Sequence, residues 1–186
     1  MDKLSKTKLK NGDEYYLIER DFSKEKTENS PVVKQNNNFG FNIKIGSYRK
    51  TITTATIFMT RDEDYVGHIS AHLYSNGTAG MTMSGIRGID LPEELSRYRD
   101  VIEKHDTALL VSEKYRRQGK ATELMKLMFK YLNKKGIKDL EVSGITDEAA
   151  MRTYLSTGAE MIGNRKAIYR NIGRFIHNEK NDEVER

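Results

Sequence analysis

The order of apolar patterns predicts a mixed α/β domain: strands first, then strand, helix, strand, helix, strand, with one parallel crossover pair. Two observations carry that prediction. Thr51 to Thr60 and Tyr65 to Tyr74 are β-rich runs on either side of the short turn Arg61-Asp62-Glu63-Asp64, which reads as an antiparallel hairpin. Ala121 to Lys134 sets Leu124, Met125, Met128, Phe129 and Leu132 on one stripe at helical spacing, with lysines on the other face. At 186 residues the chain has the size of a single domain, with residues 1–12 and 178–186 expected to be flexible. Leu, Ile, Val and Phe supply 41 residues, above the level at which composition suggests disorder.

In chain order, residues 1 to 12 are polar and lysine-rich and read as a solvated lead-in. Glu14 to Arg20 is a first strand, and Asp21 to Asn38 a short helix and loop ending in an asparagine run. Phe39 to Ile45 alternates apolar and polar, a strand pattern ahead of the hairpin. After Ser75-Asn76-Gly77 comes a Gly- and Met-rich segment to Asp90, then a helix from Leu91 to Lys104 opened by Pro92 and two glutamates. His105 to Val111 reads as a buried strand. Gly136 ends the amphipathic helix, Asp139 to Val142 is a strand, Asp147 to Ser156 a helix with Gly158 beyond its end, and Lys166 to Ile172 a last strand.

Cysteine is absent, which removes disulfides, thiolate zinc sites and cysteine nucleophiles together. No apolar run approaches the roughly 20 residues of a membrane span, and the start lacks a hydrophobic signal core, so a soluble cytoplasmic protein is expected. The net charge of +5 and pI near 9.2 raise the question of an anionic partner. Between Lys114 and Lys138 nine basic residues meet one acid, Glu123; this local +8 leaves the rest of the chain at −3. The basicity belongs to one stretch. Its aromatics are Tyr115, Phe129 and Tyr131, with Phe129 on the core stripe, so stacking platforms are scarce and a nucleic-acid module is disfavoured.

The densest chemistry lies from Ser112 to Thr122, a polar loop between a strand and a helix. Such a loop offers unpaired backbone N–H groups and the positive end of the helix dipole to an anion. Gly119 permits close backbone approach, Ala121 keeps the first turn narrow, Thr122 adds a hydroxyl, and the loop's cations deepen the site. It is neither a Walker loop nor a three-glycine dinucleotide fingerprint, so from spacing alone a phosphate-binding turn and a solvated basic turn both stand.

Arg116-Arg117-Gln118-Gly119-Lys120-Ala121, preceded by Leu109-Leu110-Val111, resembles motif A of the GNAT N-acetyltransferase superfamily. Asp147-Glu148-Ala149-Ala150-Met151-Arg152-Thr153-Tyr154-Leu155-Ser156-Thr157-Gly158 is similar to motif B, with Ala150, Tyr154 and Gly158 in register and with Asp147 and Ala159 standing where Asn and an aromatic are usual. The resemblance is clearest over 105–172, extends to the hairpin, and is absent from the first 38 residues. It implies the GNAT fold, a mixed, mostly antiparallel twisted sheet of about six to seven strands with helices on both faces. It further implies acetyl-CoA as cosubstrate and an amine as acceptor, with a sheet-edge homodimer compatible with the family. Cofactor-binding roles carry over to Leu110, Val111, Arg116, Arg117, Gln118, Gly119, Lys120, Ala121, Thr122 and Asp147.

Transfer to an amine needs a deprotonated nucleophile and a proton for the departing thiolate. Tyr154 holds the family's position for that general acid. His105, six residues before Val111, is the candidate base, with Glu103, Asp106 or a relay water as alternatives. His68 and His72 invite a metal, but four strand residues separate them by about 13 Å, too far to share one ion, so none is expected. Met81 to Gly88 and the acidic runs at 62–64 and 90–94 are candidates for shaping or attracting an amine acceptor. The expected activity is direct acetyl transfer, the alternative being a GNAT-fold protein that binds CoA or a partner without catalysis.

Overall fold

The structure is a computed structural model that describes residues 3–23, 50–82, 91–105 and 107–176. The strand expected at Phe39 to Ile45, most of the segment Asp21 to Asn38, Met83 to Asp90, Asp106 and the tail from 178 lie outside the described residues.

Four strands open the sheet as an antiparallel meander: β1 (Lys3–Lys8), β2 (Glu14–Asp21), β3 (Thr51–Arg61) and β4 (Asp64–Tyr74). Threonine and isoleucine, β-branched residues that favour extended backbone, make β3 a strand buried on both faces from Thr54 to Thr60, and Asp62 and Glu63, both at positive φ, turn it tightly into β4. β1 differs from the expected lead-in. All six of its residues are exposed, yet they pair with β2 from Lys3↔Glu19 to Lys8↔Glu14. Its lysines suit an open sheet edge, where charge discourages pairing with another chain.

β5 (Ala79–Met81) and β6 (Leu109–Val111) lie end to end along the same edge of β4, pairing at Leu73↔Ala79 and His72↔Gly80, and then at Ile69↔Leu109 and Gly67↔Val111. Between them in the chain lie α1 (Glu93–Ser96) and α2 (Arg99–Lys104), two short helices where one was expected. α3 (Lys120–Lys134) leads to β7 (Leu140–Ser143), which pairs in parallel with β5 through Gly80↔Glu141. The expected crossover therefore closes on β5, and β6 extends beyond the paired part of β7. After α4 (Glu148–Ser156), β8 (Glu160–Gly163) and β9 (Lys166–Tyr169) complete a sheet of nine strands among the described residues, two or three more than expected.

Alternation along β3 and β4 sends residues to two apolar clusters. Ile57, Met59, Ile69 and Ala71 pack beneath Leu124, Met125, Met128, Phe129 and Leu132 of α3, the stripe expected from sequence. Each fully buried side chain of this kind contributes about 1.5–3 kcal/mol. Tyr16, Ile18, Phe58 and Tyr65 pack beneath Leu95, Tyr98 and Ile102 of the α1–α2 segment. Among the described residues no helix is long and apolar enough to cross a membrane.

Candidate active site

β6 delivers the chain to the loop. Leu110 packs toward the α1–α2 cluster and Val111 toward the α3 cluster, and both stay part-exposed. The Ser112 N–H donates to the Val66 carbonyl at 2.9 Å and carries the ladder one step further. β6 lies so close to β4 at Gly67 that a Cβ there would collide with the Leu110 carbonyl.

A 3-10 turn at Glu113–Tyr115 follows, clamped by Asp64: the Lys114 ammonium and the Tyr115 hydroxyl (3.0 Å) both donate to its Oδ2. Those two bonds hold the Asp64 carboxyl below its ordinary value. Gln118 Nε2 donates back to the Lys114 carbonyl at 2.9 Å. Arg117 (φ 61) and Gly119 (φ 75) are both left-handed, and Gly119 caps α3 with no side-chain bond to the helix. The first N–H groups of a helix have no intrahelical acceptor, and left-handed residues beside them fold the backbone into an anion-binding concavity. Arg116, Arg117 and Thr122 are exposed at this turn, and Ala121 is part-buried. The arrangement is suited to a diphosphate.

Lys120 does not add its ammonium to the exposed face of the turn. Its side chain is 6% exposed and points away from the turn, to Asp13 and, at 2.7 Å, to Glu123. Asp13 is wholly buried and also accepts from Arg61 Nε at 2.5 Å and Asn11 Nδ2 at 2.9 Å. Burial alone would raise the Asp13 carboxyl, but the bonds from Arg61 and Lys120 outweigh it and hold it low. Burial likewise works against the Lys120 ammonium, and Asp13 and Glu123 outweigh it and raise its pKa. With Lys114 on Asp64 and Lys135 on Glu19 (2.7 Å), three of the stretch's cations are held by carboxylates from outside it. Tyr115, Phe129 and Tyr131 are all buried, which leaves the basic stretch no aromatic on which a base could stack.

In α4 the Asp147 side chain caps the helix, accepting from the Ala149 N–H at 2.9 Å. Tyr154 is the buried residue of this helix and packs in the same apolar cluster as Val111. Burial pushes its phenol up to about 12, so it is fully protonated at neutral pH. Its carbonyl accepts from the Thr157 and Tyr169 hydroxyls at 3.0 and 3.2 Å, tying the end of α4 to β9. Gly158 has φ +100, and a Cβ there would run into the Phe175 ring, which stacks on Phe129. Phe175 thus supplies, from another part of the chain, an aromatic at the end of α4 where Ala159 has none.

His105 caps the end of α2, exposed, with its carbonyl accepting from the Thr107 N–H at 2.8 Å. Glu103 pairs with Arg99 at 3.2 Å. His68 is wholly buried, its Nε2–H donating to the Thr107 carbonyl at 2.9 Å, which leaves Nδ1 to accept from the Tyr65 hydroxyl. His72 Nδ1 and Thr54 Oγ1 share a bond of 3.1 Å. No group of residues suited to a metal ion occurs among the described residues. The two acidic runs do meet: Asp62 and Glu63 line one cleft of about 640 Å³ with Glu93 and Glu94. Lys6, Lys8 and Arg97 share it, and Glu63 pairs with Arg97 at 3.4 Å, so its charge is mixed.

Sequence reasoning missed Asp13 and Arg61, and took Asp64 for part of an acceptor-attracting acidic run rather than the clamp on Lys114 and Tyr115. The Asn11-Gly12 dipeptide, a strong hairpin signal, could have placed Asp13 at a turn beside β3; nothing local predicts that its partner is Lys120.

A mixed sheet that hands a short strand to a glycine-capped helix defines an α+β architecture with an open helix end at the strand's edge. This chain belongs to the GNAT acetyltransferase family, whose sequence profile it matches over residues 15–159. The sequence matches none of the curated proteins compared with it. Among solved structures it is similar to a GNAT-family acetyltransferase from Staphylococcus aureus (13% identity, 64% of this chain and 68% of that chain, TM-score 0.46). It is also similar to a GNAT-family N-acetyltransferase from Escherichia coli in complex with CoA (19% identity, 67% and 62%, TM-score 0.40). A third is the ribosomal-protein-S18-alanine N-acetyltransferase from Escherichia coli (15% identity, 61% and 64%, TM-score 0.40). The chain spans less than two thirds of the latter two structures.

Proposed function

We propose that this protein transfers an acetyl group from acetyl-CoA to a primary amine by direct attack. The observation that carries the reading is the turn from Arg116 to Thr122, where two left-handed residues and the open end of α3 form a diphosphate cradle at the end of β6. Family membership supports the acyl-transfer chemistry, and the E. coli relative solved with CoA supports the choice of cosubstrate. The N–H groups of Gln118 to Thr122 bind the pyrophosphate, with Arg116 and Arg117 beside it, and Leu110 and Val111 flank the pantetheine arm. Asp147 contributes by fixing the start of α4.

The amine attacks the thioester carbonyl, forming C–N as C–S breaks. The amine's proton passes to His105 or a relay water, and the departing thiolate takes a proton from Tyr154, whose raised pKa keeps it in the acid form. The chain has no cysteine, so a thiol reagent reports CoA release against no protein background. Tyr154→Phe is expected to lower turnover by about 100-fold or more while CoA binds as in the parent, measured across a panel of primary amines. Unchanged turnover would remove Tyr154 from the mechanism, and a parent that neither binds CoA nor releases thiol would overturn the assignment.

A further inference from the structure

We infer that Asp13 positions the phosphate-binding turn through the Lys120 side chain, and that this ammonium is a positioning group rather than a phosphate ligand. This rests on the acetyl-CoA reading of the turn.

Lys120 directly follows the glycine that caps α3, where an ammonium could reach a bound phosphate. Instead it is buried, with Nζ on Asp13 and Glu123. Asp13 gathers three donors on one carboxylate: Arg61 on Oδ1, and Lys120 and Asn11 on Oδ2. Asn11 bridges on to Glu123 at 3.0 Å, and its own Oδ1 accepts from the Asp13 N–H at 3.0 Å. The cluster therefore joins the turn between β1 and β2, the end of β3 and the first turn of α3, and the partner carboxylate lies 107 residues from Lys120.

Arg61 also begins the turn that carries Asp64, the clamp on Lys114 and Tyr115. The loop is thus anchored on both sides, by Asp64 before it and Asp13 after it, with Arg116 to Gly119 exposed between. Ordering a loop before its ligand arrives removes an entropic cost from binding. Two carboxylates close to a phosphate site would otherwise oppose an anion, so their placement makes sense where each is spent on holding a cation of the same loop.

Charge makes the test a matter of sign. Asp13→Asn removes a negative charge near the turn, so electrostatics alone tightens CoA binding, whereas loss of positioning weakens it. By calorimetry with CoA, well below the melting temperature, the expected result is a dissociation constant about tenfold higher, with KM for acetyl-CoA raised and kcat nearly unchanged. Where Asp13→Asn does not fold, Asp13→Leu combined with Lys120→Met removes both opposed charges together and carries the same expectation. Unchanged or tighter CoA binding overturns the inference, including the case in which only the melting temperature falls. A parent that does not bind CoA overturns the acetyl-CoA reading itself, and this inference with it.

Discussion

His68 shows what one buried residue does for the site. Its imidazole joins Tyr65 on β4 to the Thr107 carbonyl, two residues before β6, and so fixes where that strand begins. Burial pushes its pKa down from 6.5 to about 4. Between those values the unfolded chain binds a proton that the folded chain refuses. Stability from this source is present in full above about pH 6.5, falls with pH across the window, and has dropped by about 3 kcal/mol near pH 4. His68→Gln can keep the bond to Thr107 without titrating, so its melting temperature should fall less between pH 7 and pH 4.5 than the parent's. Equal slopes would refute the account. His72, also lowered by burial, keeps part of the dependence. Motif spacing placed Arg116, Gly119 and Tyr154 because a backbone concavity and a helix position are local properties. Lys120 reads in sequence as one more loop cation, and only the carboxylate that β2 brings alongside separates it from Arg116.

Among the elements, β6 is the one on which the proposed chemistry depends, and it is held by three paired residues with one further backbone bond to β4 at each end, from Ser70 N–H to the Ala108 carbonyl and from Ser112 N–H to the Val66 carbonyl. Gly67 decides how closely it approaches β4, since a Cβ there would meet the Leu110 carbonyl and stand 3.2 Å from Val111 Cα. Gly67→Ala should cost about 1–3 kcal/mol by urea denaturation and weaken CoA binding, because the backbone cannot yield without moving Leu110 and Val111. Gly77→Ala, at φ 77 but facing open space, should cost about 1 kcal/mol and leave CoA binding unchanged. Equal CoA affinity in both variants would refute the role given to β6. α3, β7 and α4 were legible in sequence because one face of each turns to the core at a regular period, and the β3–β4 hairpin because two β-rich runs flank a short polar turn, although both its strands are buried on both faces. β1 was not, since an edge strand with no buried residue has no apolar alternation to read. Nor was the division between β5 and β6, three residues each, because their alignment on β4 depends on tertiary pairing rather than on either segment's pattern.

For the whole molecule, the two faces of the sheet are covered unequally. α3 spans fifteen residues, with seven of its side chains buried. Among the described residues the opposite face is covered by α1 and α2, of four and six residues, held by Leu95, Tyr98 and Ile102 and by the bond from the Tyr98 hydroxyl to the Glu63 carbonyl. Helices this short have no stability of their own and depend on those few contacts. The α1–α2 layer should therefore open without global unfolding. In native-state hydrogen exchange the Ile102 amide is expected to exchange with a free energy at least about 2 kcal/mol below that of Phe129, and Leu95→Ala should widen the gap. The chain passes from α2 to β6 through Thr107, so the His68 bond marks where the loose layer joins the firm sheet. Removing it with His68→Ala should extend the low-energy opening into Leu109 and Leu110. Should Ile102 and Phe129 exchange with the same free energy, the molecule opens as one unit and the two layers are equally secured.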